Sequence, residues 1–208
     1  MQTKAVNELF AYWSRRRGSR DVPNRRDIEP ADIGPVLPDT FILEHANRAD
    51  PRFRLAGTRI CTMFGRELRG TAFDHLFAPD IRNRVARITE NVMAHRTPAI
   101  LIATAYAPSG KRSAVEIALL PMTTSGSQAD RVIGAFCPFD RPNPSDVPFR
   151  YVTLDQLQVL DPEKESALLS VRSTIDMPAS IMAIRHHGIG ETVRRVLHLR
   201  VFEGGKDN

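Results

Sequence analysis

Cysteine is scarce in this chain: Cys61 and Cys137 are the only two in 208 residues, and no short spacing joins them. A paired-cysteine zinc site is therefore excluded, and two reduced thiols fit the chain better than a disulfide staple. No apolar run approaches the roughly 18 residues that a membrane-spanning helix needs. A nucleophile-elbow string and a phosphate-cradling glycine loop are also missing. Gly188-Ile189-Gly190 is a lone glycine pair with no third glycine after it. His186 and His187 are adjacent, so their side chains diverge on a helix or a strand and make poor joint metal ligands. No metal site is expected, and an enzyme lacks residues to carry its chemistry.

What the chain does have is 42% hydrophobic residues, enough to bury one core but not two sizeable domains with a linker. Residues 1–17 place Asn7 and Glu8, then arginines, where a secretory signal needs an apolar block, so a cytoplasmic location is expected. The net charge of +5 lies entirely in residues 1–140. Arg15, Arg16, Arg17, Arg20, Arg25 and Arg26 form the densest basic cluster, but Asp21, Asp27 and Glu29 sit among them. A patch of mixed sign reads as a solvated or ion-paired face, and no reading element for nucleic acid accompanies it.

Along the chain, Val6, Leu9, Phe10 and Trp13 recur at helical spacing, which predicts an amphipathic helix over 3–17 ended by Gly18. Its narrow apolar stripe must cover something, either the protein's own sheet or a second copy. A proline-rich stretch over 21–38 leads into two strands, 40–44 and 53–56, around the turn at Asp50-Pro51. Short helical elements follow, carrying Ile60, Met63 and Phe64, then Phe73, Leu76 and Phe77. The longest helix, 80–95, aligns Ile81, Val85, Ile88, Val92 and Met93 on one stripe. Three strands complete the order, at 98–106, 112–121 and 131–139. Beyond Arg141 the pattern weakens: 149–152 has strand character, 167–171 the character of a helical turn, and 181–202 alternates in a way that fits either. Two strand groups flanking a helical insertion imply an α+β fold, one antiparallel sheet with helices on one face.

Several local strings resemble the PAS family. Arg54-Leu55-Ala56-Gly57-Thr58 followed by Phe64-Gly65-Arg66-Glu67-Leu68-Arg69-Gly70 is similar to the PAS second strand and the glycine-leucine-glycine region after it. The opening, with Trp13, Arg17-Gly18-Ser19-Arg20, Pro23, Arg25, Asp27-Ile28, Pro30, Ile33 and Leu37-Pro38, resembles a bacterial PAS subfamily long catalogued as a domain of unknown function. The likeness covers about residues 5–140. It implies a five-stranded antiparallel sheet with short helices on one face, a sensory or protein-interaction role, and frequent dimers. The chain divides accordingly into a lead-in (1–38), a PAS core (39–140) and an ancillary tail (141–208) whose order stays open.

The resemblance brings a shared fold rather than a shared ligand. Flavin-type light sensors of the family carry a reactive cysteine in an asparagine-cysteine-arginine string; Cys61 lies earlier and outside that context, so no flavin adduct is expected. Haem-binding members use a histidine of the long helix, but His95 at its end and His75 before it read as ordinary surface or helix-end histidines. An internal pocket in such a sheet would be lined by Phe53, Leu55, Ile60, Met63, Phe64, Phe73, Leu76, Ile88, Val92, Ile102, Thr104, Ile117, Leu119 and Phe136. Arg54, Thr104, Tyr106 and Glu116 are the polar groups that could orient a ligand there. The same apolar residues can instead fill a core at native density. Leu9, Phe10 and Trp13 are the candidates for a partner surface. Two functional classes follow: a ligand-responsive sensor, or an interaction adaptor with a filled core that dimerises or docks. Either would signal through another protein.

Overall fold

The computed structural model describes residues 1–46, 49–125 and 128–165. The chain separates into two units, Met1–Thr174 and Ile175–Asn208, and every described residue belongs to the first. The sequence features read at 167–171, 181–202, His186-His187 and Gly188–Gly190 lie outside the described residues.

Helix α1 (Lys4–Arg17) opens the chain, followed by 3-10 turns at Arg25–Asp27 and Pro30–Asp39. Strands β1 (Thr40–Ala46) and β2 (Ala49–Ala56) come next, then α2 (Thr58–Phe64), short 3-10 turns and α3 (Arg82–Ala94). The remaining strands are β3 (Ala99–Tyr106), β4 (Arg112–Met122), β5 (Arg131–Pro138) and β6 (Tyr151–Val159). All strand pairs are antiparallel, in the order β2-β1-β5-β4-β3-β6. The sheet thus has six strands where five were expected; the sixth comes from the segment read as tail and lies along β3. Its alternation is hidden by a bulge. Leu154 pairs with Ala103 but Gln156 pairs with Ile102, so Asp155 is an inserted residue that shifts the apolar positions from Val152 and Leu154 to Leu157 and Val159.

Both faces of the central strands are covered. On the inner face, α2, α3 and the 3-10 turns enclose a core that includes Phe41, Leu43, Phe53, Leu101, Ile117 and Leu119. On the outer face, Val6, Leu9, Phe10 and Trp13 of α1 pack with Ile42, Ile100, Ala118, Leu120, Ile133 and Ala135. This is why the central strands read as continuous apolar runs: from Val115 onward every residue of β4 is buried.

Two polar anchors fix α1 to the sheet. The Trp13 indole N–H donates to the Pro121 carbonyl at 2.8 Å. At the other end, the buried Glu116 carboxylate accepts the Gln2 and Thr3 backbone N–H groups at 2.8 and 2.7 Å and the Thr3 hydroxyl at 2.7 Å. Glu116 can be buried because these donors replace water. The arginine cluster ties the end of α1 and the lead-in after it to neighbouring segments. Arg16 pairs with Asp32, Arg20 with Asp27 at 2.7 Å, and the buried Arg17 with Glu163 at 2.8 Å, just past β6. Arg25 donates to the Ile28 carbonyl at 3.1 Å.

Two glycines are required by position. Gly65 ends α2 in the left-handed conformation, with φ of 63°. Gly134 of β5 lies beneath the Phe41 ring, where an added Cβ would stand 2.2 Å from Phe41 Cζ.

Trp13 is fully buried. Truncation to alanine should therefore lower the stability of the folded chain by about 3–5 kcal/mol, read from the midpoint of denaturant unfolding. A loss under 1 kcal/mol would mean that α1 is not part of the cooperative core.

Candidate functional site

The region where an internal pocket or a filled core was considered is occupied by phenylalanine. Seven of the ten phenylalanines, Phe41, Phe53, Phe64, Phe73, Phe77, Phe136 and Phe149, belong to the inner core. Phe41 and Phe73 stack with centroids 5.5 Å apart, and Phe53 meets Phe41 edge-on at 5.6 Å. Phe73 continues to Phe77 at 5.5 Å. A second group, Phe64 with Phe136 at 5.4 Å and Phe149 at 6.0 Å, fills the neighbouring volume under α2. These are ordinary packed aromatic geometries.

Most of the expected lining residues are members of this core. Phe53, Ile60, Met63, Phe64, Phe73, Leu76, Val92, Ile117, Leu119 and Phe136 are buried in it, and Ile88 packs on it half-buried. Three residues lie elsewhere. Leu55 is 46% exposed and pairs with Ile42, whose side chain belongs to the outer face. The cause is a bulge: Leu43 pairs with Phe53, so Arg54 is inserted and the face alternation slips between Phe53 and Leu55. Ile102 packs with the outer cluster, since the inner positions of β3 are Leu101, Ala103 and Ala105. Thr104 shares the face of Ile102 and donates to Asp155 at 2.7 Å.

The other polar candidates are likewise turned away from the interior. Arg54 pairs with Glu44 at 3.0 Å on the surface, Tyr106 stacks on Tyr151 at 5.0 Å, and Glu116 anchors α1. Leu9, Phe10 and Trp13 have no exposed surface, so a partner cannot reach those side chains while α1 stays seated. Among the described residues no histidine–carboxylate hydrogen bond is present, and no three His, Cys, Asp or Glu side chains converge as metal ligands. No helix among them is long and apolar enough to cross a membrane.

A cleft of about 540 Å³ opens instead at the rim, between the end of α3, the end of β1 and the start of β5. Met93, Ala94 and Ala129 form its apolar part, and His45, Glu90, Arg96 and Asp130 its polar part. Sequence reasoning missed this group because its members come from separate segments with no shared spacing.

Cys137 lies on the outer face beneath α1, where burial first and the Asp39 carboxylate second push its thiol up to about 12. In the native protein, Cys61 alone should react with a thiol reagent at mildly alkaline pH, with Cys137 following only on unfolding; rapid labelling of both would show that α1 opens freely. The bulge in β2 generates a second test. Phe53→Ala should cost about 3–5 kcal/mol, whereas Leu55→Ala should stay within about 0.5 kcal/mol, measured by denaturant unfolding.

The family model described as "PAS domain" matches residues 1–137. Among curated proteins none matches. Two solved structures show a low-level similarity: a LOV protein of Rhodobacter sphaeroides, at 15% identity and a TM-score of 0.40 over 51% of this chain, and an RsLOV variant, at 14% and 0.41 over 70% of this chain. The aligned regions span 62% of the first protein's length and 74% of the second's. Likeness at this level establishes nothing further about this chain. The family model does, because it spans well over half of the sequence and takes in α1, the helical face and strands β1 to β5: the chain belongs to the PAS domain family.

Proposed function

We propose that this PAS domain is a regulatory adaptor, not an enzyme, that passes a signal through protein contacts rather than by enclosing a ligand. The observation that supports this reading best is the aromatic filling of the interior between sheet and helices. A ligand pocket offers a preformed volume with a few convergent polar groups. Here the volume holds phenylalanine side chains, and Arg54, Thr104, Tyr106 and Glu116 are bonded or stacked elsewhere. No flavin or haem is proposed for the interior. The anionic partners of Arg16, Arg17 and Arg20 lie within the chain, which argues against nucleic acid as the target. On this reading the chain acts in the cytoplasm, as a homodimer that engages a protein signalling partner.

A second reading keeps the sensor but moves its ligand to the rim cleft. Its size falls in the ordinary range for small-molecule sites, and its opposed charges suit a small polar molecule.

Native mass spectrometry of the full chain separates these readings. The adaptor reading expects polypeptide alone, as monomer or dimer, with no added small-molecule mass. A retained molecule that is lost in His45→Ala favours the cleft, and one retained in that variant would place a ligand in the interior and overturn the adaptor reading.

A further inference from the structure

A six-stranded open sheet has two edges, and in this molecule they are treated differently. The β2 edge is closed off. Phe53 donates its N–H to Thr71 and accepts from Gly70, and Arg52 bridges to Ala72, so residues 70–72 occupy its outer side. The strand also carries Pro51, Arg52 and Arg54 and is bulged twice against β1. These are the devices by which sheets prevent edge-to-edge association. The β6 edge has almost none of them. Val152 accepts the Ala78 N–H at its start. Beyond that, no backbone hydrogen bond among the described residues reaches the outer side of Thr153–Val159. The strand has no proline or lysine, and Asp155 is its one charged residue. Of the three large apolar side chains that stand exposed among the described residues, two are on β6: Leu157 at 36% and Val159 at 64%.

We infer that the β6 edge is the seat of a second copy of this chain, joined β6 to β6 across a two-fold axis. The occupant follows from geometry. A two-fold axis perpendicular to an edge strand makes the two copies of that strand antiparallel, the arrangement β6 already adopts with β3. The side chains suit the same operation. Leu157 pairs with Leu101 and Leu154 with Ala103, so the apolar residues of β6 lie on the helical side. Gln156 and Gln158 pair with Ile102 and Ile100 and lie on the opposite side. A two-fold join therefore sets apolar against apolar and amide against amide in one continuous sheet. With only Asp155 charged, little like-charge repulsion opposes it. The area is that of one strand pair, well below the roughly 1,200 Å² of a standard stable interface, so the dimer is weak and concentration-dependent. This inference gives the location of the self-association named above and rests on the reading that the domain works through protein contacts.

Sedimentation velocity of the full chain over a wide concentration range tests it. Wild type should pass from monomer to dimer, Leu157→Lys and Val159→Lys should each weaken the dimer by about tenfold or more, and Leu55→Lys on the closed edge should leave it unchanged. Val159→Lys is the safer variant, because that side chain already faces water, and an unchanged thermal midpoint verifies its fold. A monomer at every concentration overturns the inference and leaves the edge to residues 166–208 or to a different protein. A dimer that persists in both β6 variants overturns it by placing the contact elsewhere. A monomer at every concentration would remove the homodimer from that reading, while its core claim, protein contacts around a filled interior, is tested separately by the mass measurement.

Discussion

The constraint on which the structure depends is that its central sheet is buried on both faces, and the outer face is buried only because α1 is held there. An amphipathic helix of this length has little stability on its own; packing supplies it. Trp13 and Glu116 set the helix at its two ends, one by donating to Pro121 and the other by accepting from Gln2 and Thr3. Between them, Val6, Leu9 and Phe10 complete the apolar layer over Ala118, Ile133 and Ala135. Without α1, that apolar surface of β1, β4 and β5 would face water.

Several features follow from that arrangement. Glu116 is a fully buried carboxylate in the middle of a sheet, acceptable only while the start of α1 supplies its hydrogen bonds. Cys137, its cross-strand neighbour, is a neutral thiol for the same reason of burial. The arginines of the last turn of α1 and just beyond it form a clasp more than an anion-binding patch, with Arg16, Arg17 and Arg20 each reaching an acid at a different point in the chain. Arg17 also stands over the Trp13 ring, so the charge clasp and the indole anchor act at one place. With the inner face packed by phenylalanine and the outer face by α1, the sheet can meet other molecules chiefly at its rim and edges.

The element order was legible in the sequence because helical and strand periods alternate cleanly from Thr40 to Pro138, and the strings around Trp13 and Gly65 carry the family resemblance. Face assignment was less legible, for a definite reason. Where one face of a sheet meets water, alternation marks the core side; here both faces are buried, so Leu101 and Ile102 look alike although they enter different cores. Bulges obscured the rest. The inserted Arg54 turns Leu55 away from Phe53, and the inserted Asp155 breaks the alternation that would have revealed β6. The partner role considered for Leu9, Phe10 and Trp13 reflects the same limit: an apolar stripe states that something covers it, not whether that cover is the chain's own sheet or another molecule.

The central claim is that α1 is an integral layer of the domain, and native-state hydrogen exchange measures this most directly. If the account is right, the amides of α1 exchange with the same opening free energy as those of β4 and β5, through global unfolding alone. Exchange of α1 at low denaturant through a separate, much cheaper opening, with β4 and β5 still protected, would contradict it.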